Sequence, residues 1–511
     1  MLPSNAVRSS YAIALANEPA MAKFVRDIAA ALEPGDVITL SGDLGAGKTT
    51  FARSLIRYLA GDETIVVPSP SFTLMQVYDL PRFPLVHADL YRLESPAELA
   101  ELGFDDLPKE AVVLLEWPDR AAGFLPENRL DVAFTLDPQR GPDHRNIRVT
   151  GHGTFAARAE RIINVRRFLD TTNFAEAKRW RIQGDASTRS YERLTAGDKH
   201  AILMISPRRP DGPPVRNGKP YSAIAHLAED VRPFVAMSNG LRQIGLSAPQ
   251  ILDAELSSGL LLIEDLGTET MATGDPPAPI EERYRAAVDV LVALHRYHLT
   301  ESLAVSPHVE YRLPRYDMDA LLIEAELLLD WYMPRLGAEI TPELRKSYVA
   351  LWSKALQPAI DAKPTWVLRD YHSPNLIWLP KREKLQRVGL LDFQDAVMGP
   401  GAYDLASLLQ DARVDVPEAM EVALLGHYVR SRSEIDEEFD PRSFVALYST
   451  LAAQRASKIL GIFARLDRRD GKPQYLRHMP RVWTYLQRAL AHPALVSLKT
   501  WYNARVPAWK A

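Results

Sequence analysis

Residues 41–50 read SGDLGAGKTT, a complete Gly-x-x-x-x-Gly-Lys-Thr run, and its setting constrains the fold more than any other stretch of the chain. The apolar run DVITLSG precedes it and the amphipathic KTTFARSLIRYLA follows. The motif therefore joins a predicted buried strand to a predicted helix. Small residues at a helix N-terminus let backbone N–H groups turn inward around a phosphate. Gly42, Gly45, Ala46, Gly47, Lys48, Thr49 and Thr50 are accordingly candidate contacts to the phosphates of ATP. Lys48 would reach the β/γ-phosphates and the Thr49 hydroxyl would ligate magnesium.

Such a loop needs an acidic partner at the end of a neighbouring strand. Asp89 after LVHA and Glu116 after VVLL are the two candidate catalytic groups, either of which could hold magnesium or orient water. The segments LVHADLYRL, AVVLLEW, LDVAFTL and NIRVTGHG read as further strands. Alternation of short apolar runs with helical patterns predicts an α/β P-loop NTPase domain over 1–155. The helical TFAARAERIINVRRFLD opens the junction, and a β-rich then mostly helical second domain follows over 165–511. SPRRPDGPPVRNGKPYS reads as a flexible surface loop.

The combination GDLGAGKTTFAR, VPSPSFTLMQVYD, HADLYRLES, ELGFDD and VVLLEWPDR resembles the TsaE family of bacterial ATPases. The resemblance implies a role in the threonylcarbamoyl modification of tRNA adenosine, with the other proteins of that synthesis as partners. By position it implies that Thr49 and Glu116 are magnesium-associated, that Asp89 is the acidic residue of a His-x-Asp-x-Tyr-Arg stretch, and that 69–73 is switch-like. Two positions depart from the family: Ser71 stands where Thr is more frequent, and Pro19 where Thr is usual.

A second nucleotide grammar stands in WVLRDYHSPNLIW and VGLLDFQDAVMGP. In kinases of the protein-kinase type, one Asp accepts the substrate hydroxyl's hydrogen bond. An Asn five residues on holds magnesium, and an Asp after the next strand holds another ion. Asp370, Asn375 and Asp392 have that order, Asp370 as the catalytic group and the other two as metal ligands. Upstream, GDASTRSY has the look of a hairpin turn over phosphates, with Gly184 and Ser187 as contacts. LLIEDLG has the look of a hinge strand whose backbone at Glu264 to Leu266 meets adenine. The predicted fold is a two-lobed α+β protein-kinase-like domain.

Residues 165–505 resemble the aminoglycoside phosphotransferase-like kinases, and within them the AmgK group of N-acetylmuramate and N-acetylglucosamine kinases. The stretches that carry this are GDASTRSYERL, WVLRDYHSPNLIW, LLDFQDAVMGPGAYDLASLLQDAR and KILGIFARLDRRDGKPQYL. The resemblance implies an amino-sugar substrate and a sugar 1-phosphate product. Another small alcohol as acceptor, such as choline or an aminoglycoside, and a degenerate kinase fold kept as a binding module, remain open. The strand that should carry a phosphate-pairing Lys reads AILMIS, with Met204 near that position, so either Lys199, Arg189 or Arg193 substitutes or the site works differently. Asp395 is either a substrate contact or a turn cap. His295 and His298 are read as structural rather than metal ligands.

A net charge of −4 provides no broad field for nucleic acid. Absence of cysteine excludes disulfides, thiolate metal sites and a cysteine nucleophile. No run approaches the roughly 18 apolar residues of a membrane span, so a soluble cytoplasmic protein is expected. The two sites share no intermediate and are expected to work almost independently.

Overall fold

Val37–Ser41 is buried on both faces, with Ile38, Thr39 and Leu40 at most 1% exposed. A strand of this kind belongs in the middle of a parallel sheet. In the computed structural model, which describes residues 8–93, 98, 107–121, 123–182, 189–208, 212–297 and 299–509, it is central to a seven-stranded sheet. The principal elements of the first compact unit, which ends at Ile205, are β1 (Arg8–Leu15), α1 (Glu18–Ala31), β2 (Val37–Ser41), α2 (Lys48–Ala60), β3 (Met75–Asp79), β4 (Pro84–Asp89), β5 (Val112–Glu116), β6 (Arg129–Leu136), β7 (Arg145–His152), α3 (Phe155–Asp170), β8 (Lys178–Ile182), β9 (Ser190–Ala196) and β10 (Lys199–Ile205).

The sheet order is β1-β7-β6-β2-β5-β4-β3. The inner four strands run parallel, and β3, β7 and β1 add antiparallel edges. Asp89 is in register with Glu116, and Glu116 with Leu40, so the carboxyl ends of three strands are level. Side chains at those ends converge where β2 turns into α2, the usual position of a ligand crevice in such sheets. Asn17 starts α1 by accepting the Ala20 N–H at 3.0 Å, with Pro19 in its first turn.

By compactness the chain divides at 205/206, so β8, β9 and β10 count with the first unit. β8, β9 and β10 lie outside the seven-stranded sheet and pair with one another in the order β10-β9-β8. A buried charge network ties them to α1. Arg179 on β8 donates to Asp27 of α1 and, at 2.6 Å, to Glu192 of β9, and all three are at most 5% exposed. The Tyr58 hydroxyl of α2 also donates to the Arg179 carbonyl at 2.6 Å.

The second unit, from Ser206, contains α4 (Arg232–Gln243), the hairpin β11 (Ile251–Glu255) and β12 (Leu260–Ile263), α5 (Glu281–Leu294), α6 (Met318–Ala325), α7 (Pro342–Asp361), β13 (Thr365–Val367), β14 (Leu376–Trp378), β15 (Val388–Leu390), β16 (Val397–Gly399), α8 (Ala402–Leu409), α9 (Glu418–Ile435), α10 (Pro441–Asp470), α11 (Met479–Leu490) and α12 (Val496–Arg505). Short strands followed by helices agree with the α+β reading. In α10, Gly461 permits an approach no other residue allows: a Cβ there would stand 2.4 Å from the Leu327 carbonyl oxygen. The Pro- and Arg-rich stretch expected to be a loop contains a small hairpin, Pro214–Arg216 against Lys219–Pro220. Asn217 and Gly218, with φ 50° and 72°, close it as an Asn-Gly turn, a local signal that the surrounding prolines obscured. No helix among the described residues is long and apolar enough to cross a membrane.

Candidate functional site

In the first unit, the turn from β2 to α2 lines a cavity of about 360 Å³ together with the ends of β4 and β5. Gly45, Gly47, Lys48, Thr49, Thr50, Ser69, Asp89 and Glu116 all face it. Gly42 and Ala46, in the same loop, do not line it. A Cβ on Gly42, at φ 131°, would meet the Phe134 carbonyl oxygen at 2.3 Å, so only glycine fits there. The Ala46 carbonyl accepts from Arg145 Nε at 3.0 Å. Lys48 donates to the carbonyls of Gly42 and Asp43 at 2.7 and 2.9 Å, and its ammonium lies 3.9 Å from the centre of the Trp117 ring. Burial lowers its pKa, against the opposing pull of Glu116, Asp89 and Asp43. The Thr49 hydroxyl donates to Glu116 at 3.0 Å, and the Ser69 hydroxyl donates to Asp89 at 2.8 Å.

In the second unit, β14 and β15 pair with Leu376 opposite Leu390. That register sets Asn375, just before one strand, beside the residues just after the other. The Leu391 N–H donates to the Asn375 carbonyl at 2.9 Å. Asn375 Nδ2 donates to the Asp370 carbonyl at 2.9 Å, leaving the amide oxygen available. Asp392 follows with φ 55°, a conformation unusual for a non-glycine residue and frequent at functional sites. Asp370 borders a cavity of about 130 Å³ with His372, Tyr403, Arg413, Arg455 and Lys458.

A family model described as "Threonylcarbamoyl adenosine biosynthesis protein TsaE" matches residues 15–147, and one described as "Phosphotransferase enzyme family" matches residues 180–439. The "N-acetylmuramate/N-acetylglucosamine kinase" of Caulobacter vibrioides is 38% identical over 353 residues, covering 66% of this chain and 95% of the relative. This chain belongs to both families. The kinase of the same name from Pseudomonas aeruginosa is 33% identical, over 61% of this chain and 84% of the relative. The "tRNA threonylcarbamoyladenosine biosynthesis protein TsaE" of Rickettsia bellii is 39% identical over 122 residues, 24% of this chain and 84% of that protein.

Several side chains that shape the two sites were given no role from the sequence. In the TsaE domain, His87, which is fully buried, lies 2.9 Å from Glu116 through Nε2 and fixes one carboxylate oxygen while Thr49 takes the other. His87 is the His of the His-x-Asp-x-Tyr-Arg stretch, a signal that marked its position but assigned it no role. In the phosphotransferase domain, Asp404 accepts the N–H groups of Leu368 and Arg369 at 2.6 and 2.9 Å, and Asp411 accepts that of Ser373 at 2.9 Å. These two carboxylates hold the backbone on either side of Asp370. Burial pushes the Asp404 carboxyl up to about 7, with the two backbone N–H groups opposing. Glu324, fully buried, accepts from Arg369, from Tyr316 and, at 2.7 Å, from Lys458. Although burial acts to raise it, the two cations hold its carboxyl down to about 2. Burial takes His372 down to about 3, so a neutral imidazole faces the cavity.

Gly184 and Ser187 lie outside the described residues, as does His298. Glu264 spends its N–H on the Gln250 carbonyl, while its side chain pairs with Arg382 at 2.5 Å and with Arg242 at 3.3 Å. Leu266 is buried. Met204 is buried on β10, Lys199 is exposed, and Arg189 and Arg193 are already engaged. Asp395 accepts the Ala228 N–H at 2.6 Å, which ties down a neighbouring segment. His295 bonds the Tyr428 hydroxyl at 2.7 Å, a structural role.

The donor sets suit magnesium. Around Thr49 and Glu116, and around Asn375 and Asp392, the available atoms are hydroxyl, amide and carboxylate oxygens, hard ligands of the type magnesium takes in ones and twos beside phosphates. Among the described residues, no three His, Asp or Glu side chains form a closed cage for any other metal.

Proposed function

We propose that this chain carries two separate ATP-dependent activities. In the TsaE domain, the strand–loop–helix around Lys48, on a sheet with a parallel centre, is read as a P-loop NTPase site. The backbone from Gly42 to Thr50 and the Lys48 ammonium bind the phosphates. Thr49 and Glu116 would hold magnesium, which would neutralise phosphate charge, and Asp89 with Ser69 would sense the bound state. Its turnover serves the threonylcarbamoyl modification of tRNA adenosine, together with the other proteins of that synthesis.

The phosphotransferase domain is read as an anomeric kinase of N-acetylmuramate and N-acetylglucosamine. Asp370 accepts the proton of the sugar's anomeric hydroxyl while that oxygen takes the γ-phosphoryl group of ATP. The bond to the β-phosphate oxygen breaks, and sugar 1-phosphate and ADP leave. Asn375 and Asp392 would hold magnesium, which supplies charge neutralisation at the phosphates. Asp404 and Asp411 keep the Asp370 loop in shape. The adenine is expected against the backbone of Glu264 to Leu266, with Gly184 and Ser187 over the phosphates. ATP dependence in both halves accords with a cytoplasmic protein.

The observation that carries the kinase reading is Asp370 on a small cavity, with Asn375 tied to its carbonyl and Asp392 at the adjoining hairpin end. A cationic acceptor such as choline or an aminoglycoside fits less well, because Arg413, Arg455 and Lys458 oppose only Asp370 and Asp411 on that cavity. The test is to incubate the full chain with magnesium, ATP and each sugar, and to identify the product by mass and phosphorus NMR. Sugar 1-phosphate is expected, and Asp370→Ala is expected to slow its formation by about 1,000-fold while ATP still binds the TsaE domain. Retained kinase activity in that variant, or faster turnover of choline or an aminoglycoside, would refute the reading.

A further inference from the structure

The cavity beside Asp370 contains one cation whose hydrogen-bonding capacity is largely unused. Arg455, on α10, is 7% exposed. It donates to a single acceptor, the Gln410 carbonyl, over a long 3.3 Å. Among the described residues no carboxylate comes within 4.0 Å of it. A guanidinium has five N–H donors in a rigid fork, and one so deeply buried is costly unless something pairs with it. The other cations on the same cavity are already committed. Lys458 is bonded to Glu324 at 2.7 Å and to the Tyr403 hydroxyl at 3.3 Å, and Arg413 has its own contacts. The nearby carboxylates are spent as well, Asp411 on the N–H groups of Ser373 and Arg413, and Asp404 on those of Leu368 and Arg369.

The group that completes Arg455 must therefore come with the substrate, and it must be an anion small enough for a cavity of about 130 Å³. Planar bidentate pairing makes a carboxylate the natural match for the fork. We propose that Arg455 is a specificity-determining residue that binds the carboxylate of an acidic amino-sugar acceptor. This rests on the amino-sugar kinase reading and deepens it: N-acetylmuramate has such a carboxylate on its lactyl ether and N-acetylglucosamine has none. Arg455 thereby makes the acidic sugar the preferred acceptor of the site. Its position on α10 is set by the same packing that Gly461 allows and that brings Lys458 to Glu324.

The test compares kcat/KM for the two sugars in the full chain and in Arg455→Met. The ratio of N-acetylmuramate to N-acetylglucosamine is expected to fall by about 100-fold, the scale of losing a charge-assisted bidentate contact. Arg455→Lys, which keeps the charge and loses the fork, should fall between. Equal losses on both sugars, or an unchanged ratio, would overturn the proposal by reducing Arg455 to a packing role. Should Arg455→Met fail to fold, the methyl ester of N-acetylmuramate decides the matter with the unaltered chain. The ester is expected to be poorer than the acid by a similar factor, and equal use of both overturns the proposal. An unaltered chain that phosphorylates neither sugar refutes the underlying kinase reading instead, a distinct result.

Discussion

Replacing Asp404 should separate the holding of the catalytic loop from the chemistry of Asp370. Asp404 is fully buried and accepts two backbone N–H groups, those of Leu368 and Arg369. In Asp404→Ala both donors lose their partner in a place water does not reach. Each orphaned buried N–H costs about 1–3 kcal/mol, so a loss of about 2–6 kcal/mol is expected. Arg369 has φ 67°, a conformation that persists only while its surroundings impose it, so the loop should also relax and kinase kcat should fall at least about 10-fold. Asp404→Asn keeps one acceptor oxygen and tests the charge.

Burial raises the Asp404 carboxyl from 3.8 in the unfolded chain to about 7 in the folded one. A raised folded value means that the protonated native state is favoured. This contribution is complete below pH 3.8 and is lost as pH rises through about 7. The span is worth about 4 kcal/mol at most. Stability of the unaltered protein relative to Asp404→Asn should therefore decline from pH 4 to about 7 and level off above it. Urea unfolding followed by tryptophan fluorescence, at a series of pH values and beside sugar phosphorylation, measures both effects. A difference that does not vary with pH, or an Asp404→Ala variant with unaltered kcat and stability, would refute the reasoning.

Lys48→Ala should abolish ATP binding by the TsaE domain, read by fluorescent-nucleotide titration with the kinase site blocked. It should leave sugar phosphorylation within about twofold, because the proposed kinase site has phosphate and metal residues of its own; a marked fall in kinase rate with folding intact would show coupling. Arg179→Met leaves Asp27 and Glu192 buried without their shared cation. The expected loss is about 3–5 kcal/mol, which calorimetry should register as a lowering of the first unit's transition by about 10 °C. A shift below about 2 °C would mean that water or Arg166, 3.6 Å from Asp27, compensates.

Much of the fold was legible because its signals are local. The loop from Gly42 to Thr49 follows a strand and opens a helix, and Asp89 and Glu116 end their strands side by side. Asp370, Asn375 and Asp392 are brought close by a hairpin of three-residue strands, a pairing that sequence spacing nearly forces. The buried charge network of the first unit was not legible. Asp27, Arg179 and Glu192 meet from three elements, α1, β8 and β9, and a charge in the sequence does not reveal whether it will be buried or solvated. The Asn217-Gly218 hairpin was hidden for a different reason, a local turn signal outweighed by its proline-rich surroundings.

By itself the sequence marked the groups that are proposed to touch phosphate and metal. Those chemistries require particular residue types a few positions apart, in the order strand, loop, helix or loop, strand, loop. Only the tertiary structure decided how the groups are held and what else they meet. His87 is set against Glu116, Asp404 under the Asp370 loop, Glu324 between Arg369 and Lys458, and Arg455 in the cavity with only one weak acceptor. Each of these depends on burial and on partners distant along the chain. Burial turns an ordinary surface charge into one that must be paired, and pairing at long range is the information a linear pattern does not contain.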